Sequence, residues 1–308
     1  MSLAPLARKF VISIALFGTL VLVFSLALPT LLHRAGLHPV YEGPSVSLPG
    51  KRALIITTSH AVLSRPGEKT GKATGVFASE LTHPYYTFVD GGMSVDVASI
   101  VGGEIPIDPM SFRYMLRSPE DERFLQDSIA QAKVQHSIAI ADVDMSDYDI
   151  VFLSGGWGAA YDLAQSELLA TKVEEAYEGD RAAILGGVCH GVLGLARARD
   201  REGRVLVAGR RMTGVTDKQI SELGIEFTPL HPESVLREAG ALFEAQTRFR
   251  DFLATHVVVD AEKRFVTGQN QNSGLATAHR MMDLLSKRDS AGKPAPESRN
   301  QTTEEHRL

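Results

Sequence analysis

Four short runs of consecutive apolar, largely β-branched residues constrain this chain more than any other feature. They are Arg52 to Thr58 (RALIITT), Val95 to Ser99, Ile150 to Ser154 (IVFLS) and Ala182 to Gly187 (AAILGG). Strands with one wet face alternate apolar and polar residues, whereas unbroken apolar runs are expected of parallel strands covered on both faces. Helical patterns fall between and around them, at Phe77 to Val89, Glu120 to Ala132, Glu167 to Glu178 and Val192 to Ala198. That order implies right-handed crossovers and an α/β fold, a flavodoxin-like doubly wound parallel sheet sandwich. Val257 to Asp260 and Arg264 to Gly268 read as a hairpin, and Gly274 to Leu285 as a closing helix.

The ends of the chain differ from this body. Phe10 to Leu32 is an uncharged run of 23 residues preceded by Arg8 and Lys9. As a helix it is long enough to cross a hydrocarbon core of about 30 Å. It reads as a single-pass transmembrane signal anchor, with residues 1–9 cytoplasmic and the body outside the cytoplasm. The alternative is a secreted protein cleaved near Ser25-Leu26-Ala27. Residues 33–50, rich in Pro and Gly, read as an extended linker, 51–286 as the α/β domain, and 287–308 as a disordered tail. Asn300-Gln301-Thr302 has the form of a glycosylation acceptor.

A formal charge of −5 argues against a nucleic-acid partner. One cysteine excludes an internal disulfide framework and any multi-cysteine metal site. No histidine pair at ligand spacing, Walker loop or dinucleotide fingerprint is present, so neither a metal nor a cofactor is expected.

In a doubly wound sheet the working site lies at the carboxyl ends of the strands. Three such ends carry glycine: Gly155-Gly156-Trp157-Gly158, Gly187-Val188-Cys189-His190-Gly191, and Gly214-Val215-Thr216-Asp217 after Arg211 to Thr213. The second has the G-x-nucleophile-x-G form of a nucleophile elbow between strand and helix. Cys189 is therefore the candidate nucleophile, with its thiol pKa expected to be lowered by the helix after it. The amides of His190 and Gly156 are candidates for an oxyanion site, and Gly158 for its surroundings. Trp157 reads as a pocket wall or core aromatic.

The segments GGVCHG, SGGWGAAYDL, TGVFASELTHPYYTF and VDVASIVGGEIPIDP, in that setting, resemble the ThiJ/PfpI family of the class I glutamine amidotransferase-like fold. Its chaperone and glyoxalase III branch is the nearest in pattern. The resemblance spans about residues 51 to 286. It implies a reactive cysteine at Cys189, the adjacent His190, and a glutamate, Glu80, from the first helix beside the sulfur. His83 shares the helix face of Glu80. The branch also implies an acid orienting the histidine; that place here is Ile220, leaving Asp217 or Glu222 to substitute, or His231 to reach in. Asp217 reads equally as part of a helix cap.

The activity implied is cofactor-independent conversion of a small reactive carbonyl, methylglyoxal to lactate. The alternatives are an amide or peptide hydrolase of the same fold, for which His231-Pro232-Glu233 is a weak match, and a redox-sensing holdase chaperone. Members of the family commonly form homodimers.

Overall fold

The computed structural model of the chain describes residues 4–291. A seven-stranded sheet runs in the order Val257–Val259, Phe265–Gly268, Ile184–Val188, Ile150–Leu153, Arg52–Thr57, Ser94–Ser99, Ile138–Ala139. Every neighbouring pair is parallel except the first, the expected hairpin. Burial explains why the runs carry no alternation. Ile150–Leu153 and Ile184–Val188 are buried at every position.

One face packs on the Ala78–Asp90 and Gly274–Ala291 helices, through Tyr86, Phe88, Met281 and Leu285 against Ile55, Phe152 and Ile184. The other face packs on the Glu167–Glu178 helix, through Leu169 and Val173 against Leu54, Val151 and Leu185. The body is thus a three-layer α/β arrangement with a mostly parallel central sheet.

Several expectations need correction. The helix expected over Glu120 to Ala132 is two, Pro119–Phe124 and Ser128–Gln135, because Asp127 starts the second by accepting from the amides of Ile129 and Ala130, both at 3.0 Å. The helix expected over Val192 to Ala198 is a 3₁₀ segment, Cys189–Leu195. Arg211–Met212 pairs with Leu242–Phe243 outside the main sheet, although the Thr213 amide donates to Thr267 Oγ1 at 2.9 Å.

The Ala4–Ala35 helix is exposed along its apolar length and spans about 48 Å at 1.5 Å per residue. Residues 36–50 are not a free linker. Leu37 and Leu48 are buried, and the Asn272 side chain accepts from the His38 amide at 2.8 Å while donating to the Gly36 carbonyl at 2.9 Å. Counting Pro and Gly missed these isolated leucines, which dock an otherwise irregular segment. The tail does not begin at Lys287 either. The last helix continues to Ala291, with Lys287 paired to Asp283 at 2.8 Å one turn back. Residues 292–308, Asn300 among them, lie outside the described residues.

Candidate active site

The Ile184–Val188 strand ends in a sharp turn at Cys189, whose φ of +56° places a non-glycine residue in the left-handed region. Such a conformation costs about 1–2 kcal/mol and is sustained only where surrounding packing enforces it. The turn directs the thiol toward the neighbouring Gly155-Gly156 turn. The backbone amides of His190 and Gly156 both lie against the sulfur. His190 Nδ1 is 3.4 Å from Cys189 Sγ, and the Trp157 ring packs on the imidazole with centroids 4.8 Å apart. Gly155 must be glycine here. A Cβ on it would sit 2.5 Å from Glu80 Oε2 and 2.7 Å from the His190 amide nitrogen.

Glu80 enters from the first turn of the Ala78–Asp90 helix and is fully buried against Cys189 and the Gly155 backbone. Its position is fixed by a feature that motif reading missed. Pro84 lies inside this helix, four residues after Glu80, and has no N–H to give the Glu80 carbonyl. Ser154 Oγ, at the end of the Ile150–Leu153 strand, donates to that carbonyl at 2.8 Å instead. The helix irregularity thus becomes a tether joining the carboxyl-bearing turn to the strand end. A proline four residues beyond a candidate acid was the available signal.

The electrostatics are set by burial. Desolvation pushes the Glu80 carboxyl from its ordinary 4.5 up to about 8, so it is protonated at neutral pH. Burial, and then the adjacent Glu80, push the Cys189 thiol up as well, with the two amides pulling the other way. This corrects the expected lowering. The elbow opens into a seven-residue 3₁₀ segment instead of an α-helix, and desolvation outweighs the field of its end. His190 is lowered to about 3 by burial and then by the charge of His231. A neutral imidazole therefore faces a protonated thiol, with a carboxylic acid on the sulfur's other side.

The remaining candidates stand apart. His83 is buried away from the cavity, with its Nε2 3.4 Å from Glu120 and its ring 5.3 Å from that of His38. Gly158 packs against Thr58 and His60. Asp217 opens the Asp217–Leu223 helix, accepts from Ser234 Oγ at 2.8 Å and lies 3.8 Å from His231 Nδ1. Ile220 is core, and Glu222 accepts from the Asp251 amide. Among the described residues no carboxylate is bonded to His190, whose Nε2 has no partner. The structure therefore brings Cys189, His190, Glu80, Gly156 and Trp157 together and leaves Asp217, His83 and Gly158 outside the group. The cavity above them measures about 720 Å³.

The DJ-1/PfpI family pattern matches residues 72–283. The glutathione-independent glyoxalase HSP31 of Saccharomyces cerevisiae is 29% identical over 246 residues, covering 77% of this chain and 98% of the yeast protein. Glyoxalase 3 of Candida albicans is 29% identical, covering 68% and 88%. The crystal structure of glyoxalase III from that organism superposes with a TM-score of 0.68 at 26% identity, covering 76% and 97%. The rapid encystment protein of Francisella tularensis gives 0.69 at 30% identity, covering 76% and 99%. Glutathione-independent glyoxalase homologues thus extend over most of the chain, which belongs to the DJ-1/PfpI family and lies with its glyoxalase III branch.

Proposed function

We propose that this chain is a cofactor-independent glyoxalase that converts 2-oxoaldehydes such as methylglyoxal to 2-hydroxy acids. The observation that carries the reading is the juxtaposition of a strained cysteine, a neutral histidine 3.4 Å from its sulfur and a protonated buried glutamate. As Sγ attacks the aldehyde carbon, His190 takes the thiol proton and Glu80 protonates the carbonyl oxygen, giving a hemithioacetal. Glu80, now a carboxylate, removes the proton on C1 and returns it to C2. C1 is thereby oxidised to a thioester while C2 is reduced to an alcohol. The C1 hydroxyl proton passes to the C2 oxygen in the same rearrangement. The Glu80 carboxylate then takes a proton from the water that adds to the thioester, and protonated His190 returns its proton to the leaving sulfur. This cleaves the S–C bond, releases the 2-hydroxy acid and restores all three side chains. The His190 and Gly156 amides supply the donors for charge on the C1 oxygen.

The test is lactate formation from methylglyoxal by the full chain in detergent, without glutathione, beside Cys189→Ser. One lactate per methylglyoxal is expected, with a loss of about a thousandfold or more in the variant. Absence of lactate, or a serine variant as active as the parent, refutes the reading.

We also read the exposed Ala4–Ala35 helix as a single membrane span that holds the body outside the cytoplasm. The uncharged apolar run from Phe10 to Leu32 within it, and Arg8 and Lys9 before that run, support this.

A further inference from the structure

The reaction above uses only the head of a substrate, an aldehyde beside a ketone. It leaves the group attached to the ketone unspecified, and the cavity says more about that group than the chemistry does. Methylglyoxal has five heavy atoms and fills roughly 150 Å³ at about 30 Å³ per water-sized atom. The cavity of about 720 Å³ is several times larger and falls in the range that encloses much bigger ligands.

Its walls are apolar. Leu37, Leu63, Leu116, Ile225, Phe227 and Phe252 line it beyond the reacting group. The charges at its edge are already engaged or stand at the rim. Asp108 accepts from Thr74 at 2.9 Å and from the Met110 amide at 2.8 Å, and the Arg65 guanidinium lies 4.9 Å over the Phe227 ring. A polar or charged tail would have to give up its hydration against these walls with little in return, whereas an alkyl tail gains from each methylene buried. The wall also has an unusual source. Leu37 stands two residues past the end of the exposed apolar helix, so the segment leaving that helix forms part of the cavity.

We infer that the preferred substrate is a 2-oxoaldehyde bearing an extended alkyl tail, with the three-carbon member converted less efficiently. This rests on the glyoxalase reading and refines it. The balance is unchanged: one water is consumed, C1 goes from aldehyde to carboxylate, and C2 goes from ketone to alcohol with the tail retained.

The test is kcat/KM for straight-chain 2-oxoaldehydes from three to ten carbons, using the full chain at one fixed detergent concentration. Each added methylene is expected to raise kcat/KM about threefold to fourfold until the cavity is filled, the factor set by ~0.8 kcal/mol per buried methylene. Leu223→Glu and Met110→Glu put a charge on cavity residues that are 45% and 49% exposed and lie outside the reacting group, and each is expected to flatten the series. A flat or falling series with methylglyoxal still converted overturns this inference and leaves the glyoxalase reading standing. Failure to convert any member overturns both.

Discussion

Replacing Glu80 with glutamine should reverse part of the protein's pH-stability profile. The carboxyl is buried among the Cys189 thiol and the Gly155 backbone, and its pKa rises from 4.5 to about 8 on folding. Between those two values the unfolded chain has released this proton while the folded protein keeps it. The unfolded state then binds fewer protons, so stability falls as pH rises. At ~1.4 kcal/mol per pH unit the loss accumulates to about 5 kcal/mol by pH 8 and then levels off. Glutamine has nearly the same shape and never ionises, so it escapes the loss. His38 and His190, each lowered to about 3 chiefly by burial, act in the opposite sense below pH 6.5, but they are present in both proteins and cancel in the difference. Urea unfolding of the full chain in a fixed detergent, followed by the fluorescence of the lone Trp157, measures this difference at pH 5, 6, 7 and 8. Glu80→Gln should gain on the parent by ~1.4 kcal/mol per pH unit, while losing most turnover because it cannot shuttle a proton. A stability difference that stays constant from pH 5 to 8 refutes the buried, protonated carboxyl.

Three further results are expected. Gly155→Ala forces a methyl group to within 2.5 Å of Glu80 Oε2 and 2.7 Å of the His190 amide, so kcat/KM should fall about a hundredfold or more with a stability loss of about 1–3 kcal/mol; parent-like kinetics would show that the turn is looser than described. Asn272→Ala removes the acceptor for the His38 amide and the donor to the Gly36 and Phe252 carbonyls, and urea unfolding should register a loss of about 2–4 kcal/mol. The full chain should stay with membranes through a carbonate wash, and its release into the supernatant would argue against a span.

The sheet was legible because burial on both faces leaves unbroken apolar runs, and each of the four predicted main-sheet strands lies within two residues of its expected limits. The elbow was legible because a side chain projected from a tight strand-to-helix turn needs small neighbours, and Gly187 and Gly191 flank Cys189 two residues away on either side. What the sequence hid were partners set by tertiary proximity. Asp217 lies three residues before Ile220, the place where the resemblance implies an acid for His190, yet Asp217 turns to Ser234 and His231. His83 shares a helix with Glu80 but meets Glu120 from a different segment. The thiol pKa was misjudged for a related reason: a helix end can be guessed from glycine spacing, whereas the desolvation that outweighs it depends on the whole fold.

The docking of Gly36, Leu37 and His38 onto the body bears on proteolytic maturation. A signal peptidase cutting after Ala27 would free the protein from the bilayer and still leave these residues, with their bonds to Asn272, in place. The secreted and anchored forms would then share one cavity. A boundary placed anywhere beyond His38, such as one drawn at the start of the first strand, removes a wall of the cavity and strips Asn272 of two partners. Such a fragment would keep its nucleophile and lose the Leu37 wall, and with it part of the apolar surface that meets a substrate tail.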